Sequence, residues 1–330
     1  MDRKWLWILG ASDPEMERIE QLLRQVGEPV AYASIEGLRV RPETAYQHEK
    51  IEALLADKTR PELERYDMVL LVECALSRGD SNRRYVAVDH HKPGDVGYGR
   101  PPEDFFPASS IGQVVSWLAQ AQLIGRAAGA IRAKLIWNEI WRGPEMLGAI
   151  AGEVSYQESL QGRWVVFGYP DGGPSGRWAV EIPQDLVFAA AADHCLAAAY
   201  RGACPGVHPD KLMRWRVESR ARFQGRPVEE VLADVERARQ RLRAAPRLKE
   251  LAGAADLRGE EIPELPEAAA REGIAFVGTP RPGRDGRRKM VLQCAGPEHL
   301  AAWPSWAKAQ GLVDLYGGDP TRGFAGGFFP

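Results

Sequence analysis

The chain has 330 residues, with 43 Lys and Arg against 45 Asp and Glu, a formal net charge of −2. That balance excludes a general polycation, so an anionic ligand must be held by a local patch and not by a long-range field. Hydrophobic residues at 45% and charged residues at 27% are ordinary for a globular chain, and the length exceeds what one hydrophobic core usually serves, so two domains are expected.

The stretch KWLWILGA (4–11) predicts a first strand, and DPEMERIEQLLRQVG (13–27) a helix, with Asp13 as N-cap, Pro14 in the first turn and Gly27 as stop. PVAYAS (29–34) reads as the next strand. YDMVLLVECA (66–75) is an apolar run with Glu73 at its end, and YVAVDHH (85–91) another that stops at Asp89, His90 and His91. Such runs suit strands covered on both faces, and strand alternating with helix predicts an α/β doubly wound, mainly parallel sheet. A helical region capped by Ser109 or Ser110 follows, then a hairpin in GRWVVFGYPDGGPSGRWAVEIP (162–183) and a helix in QDLVFAAAADHCLAAAYRG (184–202). VEEVLADVERARQRLRAAPRLKELAGAA (228–255) reads as a charged helical connector. Strands near IAFVG (274–278) and KMVLQC (289–294) mark a second, smaller α/β domain that ends in the glycine-rich LYGGDPTRGFAGGFFP (315–330). The four cysteines, Cys74, Cys195, Cys204 and Cys294, form no CxxC pair and suggest neither a zinc knuckle nor a disulfide framework. With no signal peptide and no long apolar run, the expected location is cytoplasmic and off the membrane.

Acids and histidines close three predicted strands: Asp13 and Glu15 after the first, Glu73 after another, Asp89 to His91 after a third. In a parallel sheet the carboxyl ends of strands share one edge, so these groups are expected to converge. Each has a plainer reading: Asp13 as a helix cap, Glu73 as a solvated acid, the tail glycines as a turn, and Arg281, Arg284, Arg287 and Arg288 as a solvated loop.

In combination, SDPEME, VLLVECA, VAVDHHKPGD and YGGDPTRGFAGG resemble, in that order, motifs of the DHH phosphoesterase superfamily with its C-terminal associated domain. The resemblance implies a DHH-like domain over residues 1–225 with an insertion near 125–185, a helical connector over 226–260 and a substrate-binding domain over 261–330. It implies a manganese site of two ions, one the weaker, with Asp13, Glu15, Glu73, His90 and Asp193 as ligands. His91 is then the catalytic residue over the scissile phosphate, and Asp89 the carboxylate that orients a histidine. Ser109, Ser110, Gly317, Gly318, Arg322 and Gly326 are expected to bind substrate, the glycines by close approach of backbone N–H groups. The implied function is a phosphodiesterase or exonuclease acting between the domains on short single-stranded or cyclic oligonucleotides, with no preference for duplex DNA; a homodimer is left open. This chain departs from the family at Leu9, where a metal-ligand His is usual, at the longer acids Glu15 and Glu73, and at Asp319, which follows Gly317 and Gly318 where a third Gly and a His are usual. Those departures leave room for the alternative, a nucleotide-binding or regulatory protein of the same fold that does not hydrolyse.

Overall fold

A computed structural model describes residues 4–77, 85–120, 154–158, 164–168, 178–280 and 286–330. The chain divides into two compact units, Met1–Tyr98 with Asp104–Asp193, and Gly99–Glu103 with His194–Pro330.

The first unit begins with β1 (Trp5–Leu9), every residue of which is buried, and α1 (Pro14–Gln25). There follow β2 (Val30–Ile35), β3 (Leu38–Arg39), β4 (Glu52–Leu54), β5 (Met68–Val72) and β6 (Tyr85–Val88). The sheet order is β3-β2-β1-β5-β6, with β4 also on β2. Strands β2, β1, β5 and β6 run parallel, while β3 and β4 pair antiparallel with β2. The fold is therefore α/β with a mainly parallel first sheet. The chain moves from β1 to β2 on one side, then to β5 and β6 on the other. Loops leaving the carboxyl ends of β1 and β5 thus diverge, the kind of switch point beside which open α/β sheets place their ligands. Leu6, Ile8, Ala31, Ala33 and Val69 form much of the core.

After β6 come α2 (Phe105–Ala108) and α3 (Ser110–Gln120), then three antiparallel strands, β7 (Val154–Glu158), β8 (Trp164–Gly168) and β9 (Trp178–Glu181). The expected hairpin is β8 and β9, with β7 as an unforeseen third strand; the rest of the expected insertion, with residues 121–153, lies outside the described residues. Helix α4 (Gln184–His194) carries the chain to the unit boundary.

The second unit contains α5 (Leu196–Tyr200), α6 (Pro209–Gln224), α7 (Val228–Ala244), β10 (Arg247–Leu248), β11 (Ala254–Leu257), α8 (Leu265–Glu272), β12 (Phe276–Gly278), β13 (Lys289–Gln293), α9 (Pro297–Ala309), β14 (Val313–Gly317) and β15 (Ala325–Phe328). Its sheet runs β10-β11-β12-β13-β15-β14 and is mostly antiparallel. Alternation along the strands feeds two cores, one on each face. Ala255, Leu257 and Phe276 pack with α6, α7 and α8, whereas Ala254, Val277 and Leu292 pack with Trp303, Trp306 and Ala307 of α9. The division of the chain differs from the expected 1–225, 226–260 and 261–330. Helix α7 buries Val231, Val235, Ala238 and Leu242 in the second unit's core, each large side chain contributing about 1.5–3 kcal/mol. The charged helix also ends early, at Pro246, and its last residues form β11.

Candidate metal centre

The site grows from the carboxyl edge of the first sheet. Gly10 follows β1 and donates its N–H to the Val72 carbonyl at 2.9 Å. A Cβ at Gly10 would run into the Glu73 carbonyl oxygen, so only glycine lets the end of β1 lie this close to the end of β5. Asp13 then caps α1: its Oδ1 accepts from the Met16 N–H at 2.7 Å. In the first turn of the helix Glu15 is 3% exposed, and its Oε1 accepts from the Ile111 N–H at 3.0 Å, capping the start of α3.

Glu73 ends β5 with φ at +49°, the left-handed region that a side chain with a Cβ enters at a cost of about 1–2 kcal/mol. Strain of this kind collects where function needs a fixed side-chain direction. Its Oε1 is buried with no hydrogen-bond partner, as is Glu15 Oε2.

Asp89 organises the end of β6. Its Oδ1 accepts from the backbone N–H groups of His90 (2.7 Å) and His91 (3.1 Å) and pairs with His91 Nδ1 at 2.7 Å. Its Oδ2 accepts from the Tyr46 hydroxyl at 2.5 Å. Burial pushes this carboxyl upward, but hydrogen bonds and charge from His91, with the Tyr46 hydroxyl, outweigh it and hold Asp89 down at about 2. Gln113 on α3 donates to the Asp89 carbonyl at 2.9 Å and so fixes the same turn.

His90 is fully buried. Its Nδ1 lies 3.2 Å from Ser110 Oγ and its Nε2 2.8 Å from Asp193 Oδ2 on α4. The two imidazoles stack at 4.6 Å between centroids. Ligand atoms of Glu73, His90, His91 and Asp193 all lie within 4.8 Å of one another.

Crowded carboxylates in a dry place resist ionisation. Burial, then the Asp193 charge, raises Asp13 to about 6. Burial, with Asp193, Glu73 and Asp13 adding to it, raises Glu15 well above its ordinary value. Burial also lifts Glu73 to about 8, against the opposing pull of His91, with Asp193, Asp13 and Asp89 pushing the same way as burial. A divalent cation reverses this logic, because it satisfies orphaned oxygens and neutralises mutual repulsion at once. The donor set of carboxylates and imidazoles therefore fits a divalent first-row metal.

Of the expected residues, Glu73, His90, His91 and Asp193 form the cluster, Asp13 and Glu15 adjoin it electrostatically, and Asp89 acts on His91. Ser110 bonds His90, whereas Ser109 turns inward to the Phe106 carbonyl and the Gly112 N–H. Gly317, Gly318, Arg322 and Gly326 belong to the second unit. There Gly317 has φ at +82° beside the Phe324 carbonyl, and Gly326 lies under the Tyr316 ring, so tight pairing of β14 with β15 accounts for both. Of the expected basic turn, Arg281 and Arg284 lie outside the described residues.

Sequence reasoning missed Tyr46 and Arg39. Arg39 on β3 donates Nε–H to the Gly10 carbonyl at 2.8 Å and stacks over Tyr32 at 4.6 Å, a cation beside an acidic group. Neither carries a motif, and Tyr46 lies 43 residues from its partner. A scan against protein-family models, a search of curated proteins and a search of solved structures found no match for the chain.

Proposed function

We propose that the chain is a manganese-dependent phosphodiesterase of the DHH phosphoesterase kind, hydrolysing short single-stranded or cyclic oligonucleotides. The observation that carries this reading is the meeting of Glu73, His90, His91 and Asp193 at the carboxyl edge of a mainly parallel sheet, where Glu15 Oε2 and Glu73 Oε1 are buried without a hydrogen-bond partner. Manganese held there supplies an activated water and neutralises charge on phosphate oxygens. The protein's part is placement. Glu73 is held by its backbone, His90 by Ser110 and Asp193, and His91 by Asp89, whose acceptance of the Nδ1 proton leaves the ring's lone pair on Nε2.

A second reading is favoured by the neighbourhood of β1. Leu9, at the place where the resemblance expects a histidine, is fully buried and offers no ligand atom. Asp13 Oδ1 and Glu15 Oε1 are already committed to helix N-termini. With fewer oxygens for a second ion, the protein binds nucleotide without cutting it.

The test is a panel of dinucleotides, short oligoribonucleotides, cyclic dinucleotides, pyrophosphate and duplex DNA, each incubated with Mn²⁺ and analysed for products and for binding. Cleavage of a short or cyclic oligonucleotide supports the enzyme. Tight binding without products supports the second reading. Neither binding nor cleavage of any nucleotide overturns both.

A further inference from the structure

Two of the four scattered cysteines meet in the second unit. Cys195 and Cys204 are not disulfide-bonded and are 1% and 2% exposed, with Sγ atoms 2.8 Å apart. Local chain chemistry brings them together. Helix α5 is short, ends at Tyr200 with Arg201 as its C-cap, and is followed by Gly202, whose φ of +77° lies in the left-handed region. The Gly202 N–H bonds the Ala199 carbonyl and the Ala203 N–H the Ala198 carbonyl, each at 3.0 Å, which is the Schellman pattern. That turn folds residue 204 back beside residue 195, where α5 begins.

We propose that Cys195 and Cys204 are a reversible oxidation site, closing to an intramolecular disulfide with a hydroperoxide as oxidant. A disulfide needs sulfurs at about 2.05 Å, so the pair has under about 1 Å to close. In the first step one cysteine, as thiolate, attacks a peroxide oxygen. The O–O bond breaks, a sulfenic acid forms, and the released hydroxide takes up the proton the thiol gave. In the second step the other thiol attacks that sulfur, the S–O bond breaks, the S–S bond forms and a second water leaves. Two thiols and one hydrogen peroxide become one disulfide and two waters; sulfur is oxidised and peroxide oxygen reduced. Entry of so small an oxidant needs only local opening of a five-residue helix next to the exposed Arg201 and Gly202.

The other two cysteines are built to stay reduced. Cys74 donates to the Ile8 carbonyl, and Cys294 to the Ala269 carbonyl. Burial pushes the Cys294 thiol up to about 11, leaving little thiolate at neutral pH. They serve as internal controls.

The experiment exposes native full-length protein to hydrogen peroxide, quenches it, denatures it and alkylates the remaining thiols. Cleavage after Arg201 separates the two cysteines, so trypsin followed by non-reducing mass spectrometry reads the bond directly. The expected result is a fall from four alkylatable thiols to two, a linked pair of peptides containing Cys195 and Cys204, and recovery of all four with dithiothreitol. Cys195→Ser and Cys204→Ser variants are expected to form no linked peptides under the same treatment, and the variant that keeps the peroxide-reactive cysteine to carry a sulfenic acid there instead. The proposal is overturned if the thiols of Cys195 and Cys204 persist, if Cys74 or Cys294 is lost first, or if the linkage forms between chains.

Discussion

Glu73 concentrates several penalties in one side chain: burial, a left-handed backbone and acidic neighbours. Its carboxyl titrates near 8 in the folded protein against an ordinary 4.5. In that interval the folded state holds a proton that the unfolded state has lost, so stability falls as pH rises. The metal-free protein is therefore expected to be most stable below about pH 4.5 as far as this group is concerned, and to lose that contribution progressively up to about pH 8. Urea melts across that window check the sign. Glu73→Gln is expected to raise metal-free stability at pH 8 by about 1–3 kcal/mol, the scale of an unpaired buried polar group, and to abolish stabilisation by Mn²⁺. A metal-free variant no more stable than wild type would show that Glu73 is already satisfied. Tyr46→Phe removes the donor to Asp89 Oδ2. It is expected to weaken Mn²⁺ binding by about 10-fold, read by calorimetry, because partners behind a ligand tune it on that scale. Glu73, His90 and His91 could be read from strand ends, whereas Asp193, on α4, was expected only through the family resemblance. Tyr46 could not, since nothing local distinguishes it from any half-buried tyrosine.

The elements that position this site were legible where pattern and length agreed. Strands β1, β2, β5 and β6 are apolar runs closed by polar residues, and α1 carries both its cap and its stop signal. The expected helix over 184–202 breaks at Cys195, whose φ and ψ of −151° and 42° interrupt it. The helix pattern over 228–255 did not show that Ala254–Leu257 pairs with β12, because small residues there suit either structure. Helix α9 was hidden by its internal Pro304, which removes a donor; Trp303 and Trp306 packed in the core outweigh that loss. The close approach of β1 to β5 supplies a prediction at this scale. Gly10→Ala places a methyl against the Glu73 carbonyl and is expected to destabilise the protein by about 3 kcal/mol, with the Mn²⁺ response lost as well. A neutral Gly10→Ala in urea melts would mean that the two strand ends are not in register as described.

At the scale of the whole molecule, a net charge of −2 gives no long-range attraction for a long polyanion. Short oligonucleotides are accordingly expected to bind with a shallow salt dependence, and duplex DNA poorly at all salt concentrations; a steep salt slope with tight duplex binding would contradict this. Among the described residues, no helix is long and apolar enough to cross a membrane. Helix α7, whose charged pattern reads as a solvated connector in sequence, joins the second core through Val231, Val235, Ala238 and Leu242. The same packing shapes how the glycine-rich tail is tested. Strand β15 lies between β13 and β14, so removing the chain after Asp314 would unseat part of the second core, and substitutions at Arg322 probe binding more cleanly. The central claim is that the first unit holds a divalent metal at the end of its parallel sheet. Anomalous scattering from a manganese-soaked crystal tests it most directly. An anomalous peak is expected in contact with Glu73, His90, His91 and Asp193, with a weaker or absent second peak beside Asp13 and Glu15. No manganese peak among those residues at neutral pH would contradict it.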